Sequence, residues 1–132
     1  MHIEDPILDW VLLAARLCLA GVFLVSGVHK ALHYDKARDE FHRASVPAAD
    51  FLLPMTILLH LVASAGMLIG IYSRESALLL AAFTVVATLK VHCFWRMEGA
   101  ERLDRSRIAL SNLAIVGGLL LLVATGPGRL VF

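Results

Sequence analysis

The chemistry-bearing residues of this 132-residue chain sit where an ordinary membrane segment would have none. His60 lies in the middle of the apolar stretch Leu52 to Tyr72, which is long enough to cross a bilayer. Other apolar stretches carry Arg16, His29, Lys30, Lys90, His92 and Asn112. An ionisable group inside a span is costly and faces the bundle interior, so each is a candidate functional residue. Residues three, four and seven apart share one helix face. Arg16, Ala20, Phe23, Gly27 and Lys30 form one such stripe; Thr56, His60, Ser64 and Met67 form a second. Thr84, Thr88 and His92 make a third, and Asn112, Val116, Leu119 and Val123 a fourth. The spacing predicts that Arg16, His60, His92 and Asn112 converge on one axis.

At 1.5 Å of rise per residue, Arg16 and His60 each lie about 13 Å into their segments, near the middle of a core about 30 Å thick. His92, Asn112 and Thr56 lie nearer one surface, with His29 and Lys30 at its edge. The expected site is a polar pocket lined by Arg16, Thr56, His60, Thr88, His92 and Asn112. For Arg16 three readings stand side by side. Its guanidinium leans back toward Asp9 two turns earlier, donates to a ligand oxygen, or caps broken helix carbonyls. His60 is either a neutral partner of nearby hydroxyls or, with His92, a proton relay. Haem or metal ligation is disfavoured, because His60 and His92 stand about 10 Å apart in depth and no further ligand cluster is visible. Lys90 is expected to point away from the His92 stripe and snorkel to the headgroups. Trp95 and Phe94 read as interface anchors. Cys18 and Cys93 form no CxxC pair and read as small apolar packers.

The elements that must position these residues follow from hydropathy. Hydrophobic residues make up 59% of the chain, and the mean hydropathy is +0.78. A span takes roughly 20 apolar residues. Four segments meet or approach that: about 7–29, 51–72, 76–95 and 108–125. No segment shows the polar face of a soluble bundle helix. The expectation is an all-α, integral-membrane four-helix bundle, one domain, connected up-down-up-down. A short amphipathic helix fits the connection 30–50, before Pro47. Pro54 fits the first turn of the second span. Gly66-x-x-x-Gly70 and Ala114-x-x-x-Gly118 offer small faces for helix packing. Net charge is +1, with no basic excess for nucleic acid. The acidic start, MHIEDPILDW, lacks the basic region of a cleaved leader.

Orientation follows from Lys and Arg. Lys30, Lys36, Arg38, Arg43, Arg96, Arg102, Arg105 and Arg107 collect on one side, against Arg74 and Arg129 on the other. Connections 30–50 and 96–107 are therefore expected in the cytoplasm, with both termini outside, in a bacterial-type inner membrane.

The chain resembles the DoxX family of small four-helix membrane proteins over most of its length. The resemblance rests on order and spacing. It runs from Ala15-Arg16 through Ser26-Gly27-Val28-His29-Lys30 to Val46-Pro47 and Leu53-Pro54-Met55. It continues in Gly70-Ile71-Tyr72-Ser73-Arg74, His92, Asn112-Leu113-Ala114, Gly117-Gly118-Leu119-Leu120 and Thr125-Gly126-Pro127-Gly128. The family commonly has Glu where His60 stands, which would pair with the buried Arg; a neutral His does not. The usual Ser-x-Asp after the Gly-Pro-Gly is absent. The resemblance implies association with quinone-dependent sulfur oxidation and thiol oxidation. Three functions are weighed. The first is a redox-associated subunit whose pocket takes a quinone and whose electrons come from a soluble or membrane oxidoreductase partner. The second is a structural or assembly subunit. The third is an oligomeric small-molecule or proton transporter, against which no span is clearly interrupted at mid-depth.

Overall fold

The computed structural model describes residues 6–44, 46–90 and 98–128. It contains α1 (Pro6–Leu32), α2 (Tyr34–Arg43), α3 (Ala49–Ile69), α4 (Ser73–Lys90) and α5 (Gly99–Thr125). The four long helices close a ring, with α1 against α3, α3 against α4, α4 against α5 and α5 back against α1. Helix α2 lies across one end, on α3 and α1. Helices α1, α3 and α5 are long and apolar enough to cross a bilayer. Helix α4 is described over 18 residues with Arg74, Glu75 and Lys90 among them, and falls outside that group.

Apolar groups gain nothing by leaving lipid, so small side chains must let the helices approach. The buried core is built that way: Ala20, Ala63, Ala77 and Ala81 alternate with Phe23, Met67, Leu80, Leu119 and Leu122. Large apolar side chains such as Val25, Val62, Val86, Leu113 and Leu121 point outward, as a lipid-facing surface requires. A second cluster holds α2 down through Ala37 and Phe41, one turn apart, against Ala49 and Leu53. Ion pairs fasten α2 on both sides. Arg38 Nε donates to Asp50 at 2.8 Å, and Arg105 Nη1 of α5 donates to Glu40 at 2.8 Å. The bond to Asp50 holds the exposed Arg38 guanidinium above its ordinary pKa.

Several boundaries differ from the hydropathy reading, each for a local reason. Helix α3 stops at Ile69 rather than near Tyr72, because Gly70 takes φ 88° and turns its N–H to the Gly66 carbonyl at 2.9 Å. The Ile71 N–H reaches the same carbonyl at 3.0 Å. The Gly66–Gly70 pair is thus a helix terminus, and a Cβ on Gly66 would lie 2.9 Å from the Ile71 carbonyl. Helix α3 also starts two residues earlier than predicted, which moves Pro54 into its second turn. Helix α5 starts at Gly99, not near residue 108. Its 27 residues reach about 40 Å. The apolar part from Ile108 covers about 27 Å of that, and the charged turns before it carry Arg105 to α2. The predicted end of the third span, 91–95, lies outside the described residues.

Candidate functional site

A cavity of about 600 Å³ opens between α1, α3, α4 and α5 beneath α2. Its walls are mostly apolar. The polar lining comes from Ser26, Lys30, Glu40, Thr56, His60, Thr84, Lys90 and Asn112. His60 is 2% exposed. Its ring sits between two aromatic edges, 5.4 Å from the Phe23 centroid and 4.7 Å from that of Phe83, at interplanar angles of 66° and 88°. Neither ring nitrogen has a hydrogen-bond partner among the described residues. Gly27 makes this placement geometrically feasible. A Cβ there would stand 3.1 Å from His60 Cβ, so a larger residue would require α1 and α3 to give by a few tenths of an ångström at this height.

The polar stripes of α1 and α3 face inward: Arg16, Ala20, Phe23 and Gly27 are buried on α1, and Thr56, His60, Ser64 and Met67 on α3. The two deep groups nevertheless occupy different layers. Arg16 is fully buried, and its Nη1 donates to the Met67 carbonyl at 3.2 Å. Met67 lies in the last turn of α3, where carbonyls lack intrahelical donors and the helix dipole favours a cation. This contact is of the helix-carbonyl kind, one of the three readings for Arg16. Arg16 does not line the cavity. It stands eleven residues from Gly27, about 16 Å along α1.

The structure brings Thr56, His60 and Asn112 to one cavity. Thr88 opens onto a second groove between α4 and α5, which Asn112 shares. Asn112 Nδ2 donates to Thr88 Oγ1 at 2.9 Å, and that hydroxyl donates to the Thr84 carbonyl at 2.7 Å. This chain of bonds ties the two helices together. The Ser64 hydroxyl bonds the His60 carbonyl, satisfying itself within α3. His29 is exposed, stacked against His33 with ring centroids 4.5 Å apart, and outside the cavity lining. His92 lies outside the described residues, as do Cys93, Phe94 and Trp95. Among the described residues no three His, Cys, Asp or Glu side chains gather in a way that could hold a metal ion. Cys18 is exposed.

Two lining residues, Phe83 and Glu40, carried no prominent sequence signal. Phe23 was visible as a member of the α1 stripe, but Phe83 sits one position off the Thr84 stripe. Lys90 lines the cavity rather than pointing away from it. Glu40 reaches the cavity from α2. Lys30, the edge member of the α1 stripe, lines the cavity as well. Its Nζ folds back to Ser26 Oγ at 2.6 Å, drawing the ammonium one turn inward from the helix end.

A ring of long apolar helices around a partly polar cavity defines a multi-pass helical membrane protein. The DoxX family model matches residues 11–93, and the chain belongs to this family. Inner membrane protein YqjF of Escherichia coli is 33% identical over 120 residues, covering 91% of this chain and 87% of the relative. Inner membrane protein YphA of the same organism is 24% identical over 120 residues, covering 91% and 86%. The uncharacterized membrane protein Rv3486 of Mycobacterium tuberculosis is 29% identical over 143 residues, covering 98% and 81%. No solved structure matches. With such relatives along nearly its whole length, the chain is a multi-pass inner-membrane protein.

Proposed function

We propose that this DoxX protein is a four-span accessory subunit of a redox system, and that its cavity holds the ring of a quinone-class amphiphile against His60. The observation that carries the proposal is His60 itself. A buried polar group without a partner costs about 1–3 kcal/mol, and a native structure keeps one where a ligand or water completes it. A neutral imidazole offers one N–H and one acceptor nitrogen. A quinone carbonyl takes the first, and a hydroquinone hydroxyl gives to the second. Phe23 and Phe83 supply apolar surface for a flat ring, and about 600 Å³ is within the usual range of small-molecule sites. The lining side chains move protons and hydrogen bonds rather than electrons, so a partner oxidoreductase supplies the electrons. His60 passes the proton; His92, the other half of the relay expected from sequence, lies outside the described residues.

In this reading α4 is the third of four spans. The Lys and Arg bias sets α2 and the cavity mouth on the cytoplasmic side and both termini outside. Arg16 belongs to the fastening of α1 to α3 and takes no part in binding. The test is mass spectrometry of the organic extract from protein purified in mild detergent. A quinone enriched with the wild type and lost from His60→Leu is the expected result. Background quinone in both would remove the redox reading and leave a structural subunit.

A further inference from the structure

Among the described residues the cavity lining holds charge of both signs, so two ammonium groups, Lys30 and Lys90, set its polar character together with one carboxylate, Glu40. Glu40 is already engaged by Arg105 at 2.8 Å. Lys30 does not reach outward to the headgroups, as a lysine near a helix end is free to do. It folds back to Ser26, the neighbour of Gly27, and a Cβ on Gly27 would stand 3.1 Å from His60 Cβ. The ammonium is thereby drawn one turn inward along α1, into the lining of the cavity that His60 also lines. Its hydrogen bond to Ser26 uses one of three N–H donors. In the same cavity lining, both nitrogens of the 2%-exposed His60 ring lack partners among the described residues. Donors held ready in an apolar setting act most strongly on a charged acceptor.

We infer that the cavity recognises its ligand through an oxygen bearing negative charge, held jointly by the Lys30 ammonium and the His60 N–H. This rests on the reading of the cavity as the ligand site and adds the ligand's chemical class. That class is an amphiphile with an ionised oxygen, either a phenolate-type oxygen on a ring or the carboxylate of an acyl chain. Phe23 and Phe83 favour the ring.

The experiment uses the full chain in detergent micelles and equilibrium dialysis, corrected for partition into empty micelles. Three probes are compared: 2-hydroxy-1,4-naphthoquinone, an anion at neutral pH; 1,4-naphthoquinone, its neutral counterpart; and laurate. Wild-type protein is expected to bind the hydroxylated ring at least about tenfold more tightly than the neutral one, the scale of one charge contact in a partly shielded site. Lys30→Met brings the two rings to within about twofold of each other. Lys30→Gln serves as the second variant, and both are checked for a monodisperse, helical species. Equal affinity of the wild type for the two rings overturns the charged-oxygen inference while leaving the ring site standing. A preference that survives in both Lys30 variants overturns it as well. Laurate bound with the same Lys30 dependence, and neither ring bound, supports the charged oxygen and overturns the quinone reading. Binding of none of the three overturns both.

Discussion

Gly27 is the position at which a single methyl group tests the whole packing account. A Cβ built there meets His60 Cβ at 3.1 Å and the Leu61 side chain at 3.1 and 3.3 Å. The end of Leu61 can rotate away, but His60 Cβ is fixed to the α3 backbone. Gly27→Ala must therefore push α1 and α3 apart by a few tenths of an ångström. Forcing extra volume into a packed contact costs about 1–3 kcal/mol. Gly21, on the same helix, has nothing within 4 Å of a built Cβ. Replacing either glycine by alanine gains the same helix preference, up to about 1 kcal/mol. The difference between the two variants thus isolates the contact. Unfolding in dodecyl sulfate–mixed micelles, followed by far-ultraviolet circular dichroism, should find Gly27→Ala less stable than Gly21→Ala by about 1–3 kcal/mol. Gly27→Ala should also lower ligand content, because His60 and Phe23 move with the helices. Equal stabilities, within about 0.5 kcal/mol, would refute the claim that α1 and α3 are in tight contact at Gly27 and His60.

Two further perturbations separate fastening from binding. Arg16→Met removes the donor to the Met67 carbonyl and should destabilise the bundle by about 1–3 kcal/mol, measured by the same titration, with ligand content per folded protein unchanged. Loss of ligand in that variant would return Arg16 to the site. Asn112→Leu breaks the bond to Thr88 and should cost about 0.6 kcal/mol and no more than about 1.7, the average and the maximum for such bonds between membrane helices.

Much of the bundle was legible because lipid imposes a strict pattern. Apolar length marks a span, and polar residues at helical spacing mark its inner face. Arg16, Phe23 and Gly27, and Thr56, His60 and Ser64, were placed inward on that ground, and they are buried. Helix ends were less legible. The charged run before Ile108 reads as a loop by hydropathy, although Ala, Glu, Arg and Leu are good helix formers, and it is helical from Gly99. Depth along α1 misled most. Counting residues put Arg16 and His60 at similar depth, but α1 is longer than the apolar core and packs Gly27, not Arg16, at the His60 layer. One partner of Arg16 is a backbone carbonyl, which no side-chain pattern reveals. Lys30 turned inward because a flexible stem can go either way, and only Ser26 four residues earlier hinted at the direction.

The most direct test of the central claim is photoaffinity labelling in native membranes with an azido-quinone, followed by peptide mapping. The account predicts label on α1 near Phe23 or on α3 near His60. Excess unlabelled quinone should compete it away, and it should be absent from His60→Leu. Label confined to the lipid-facing side of α5, or indifferent to competitor, would contradict it.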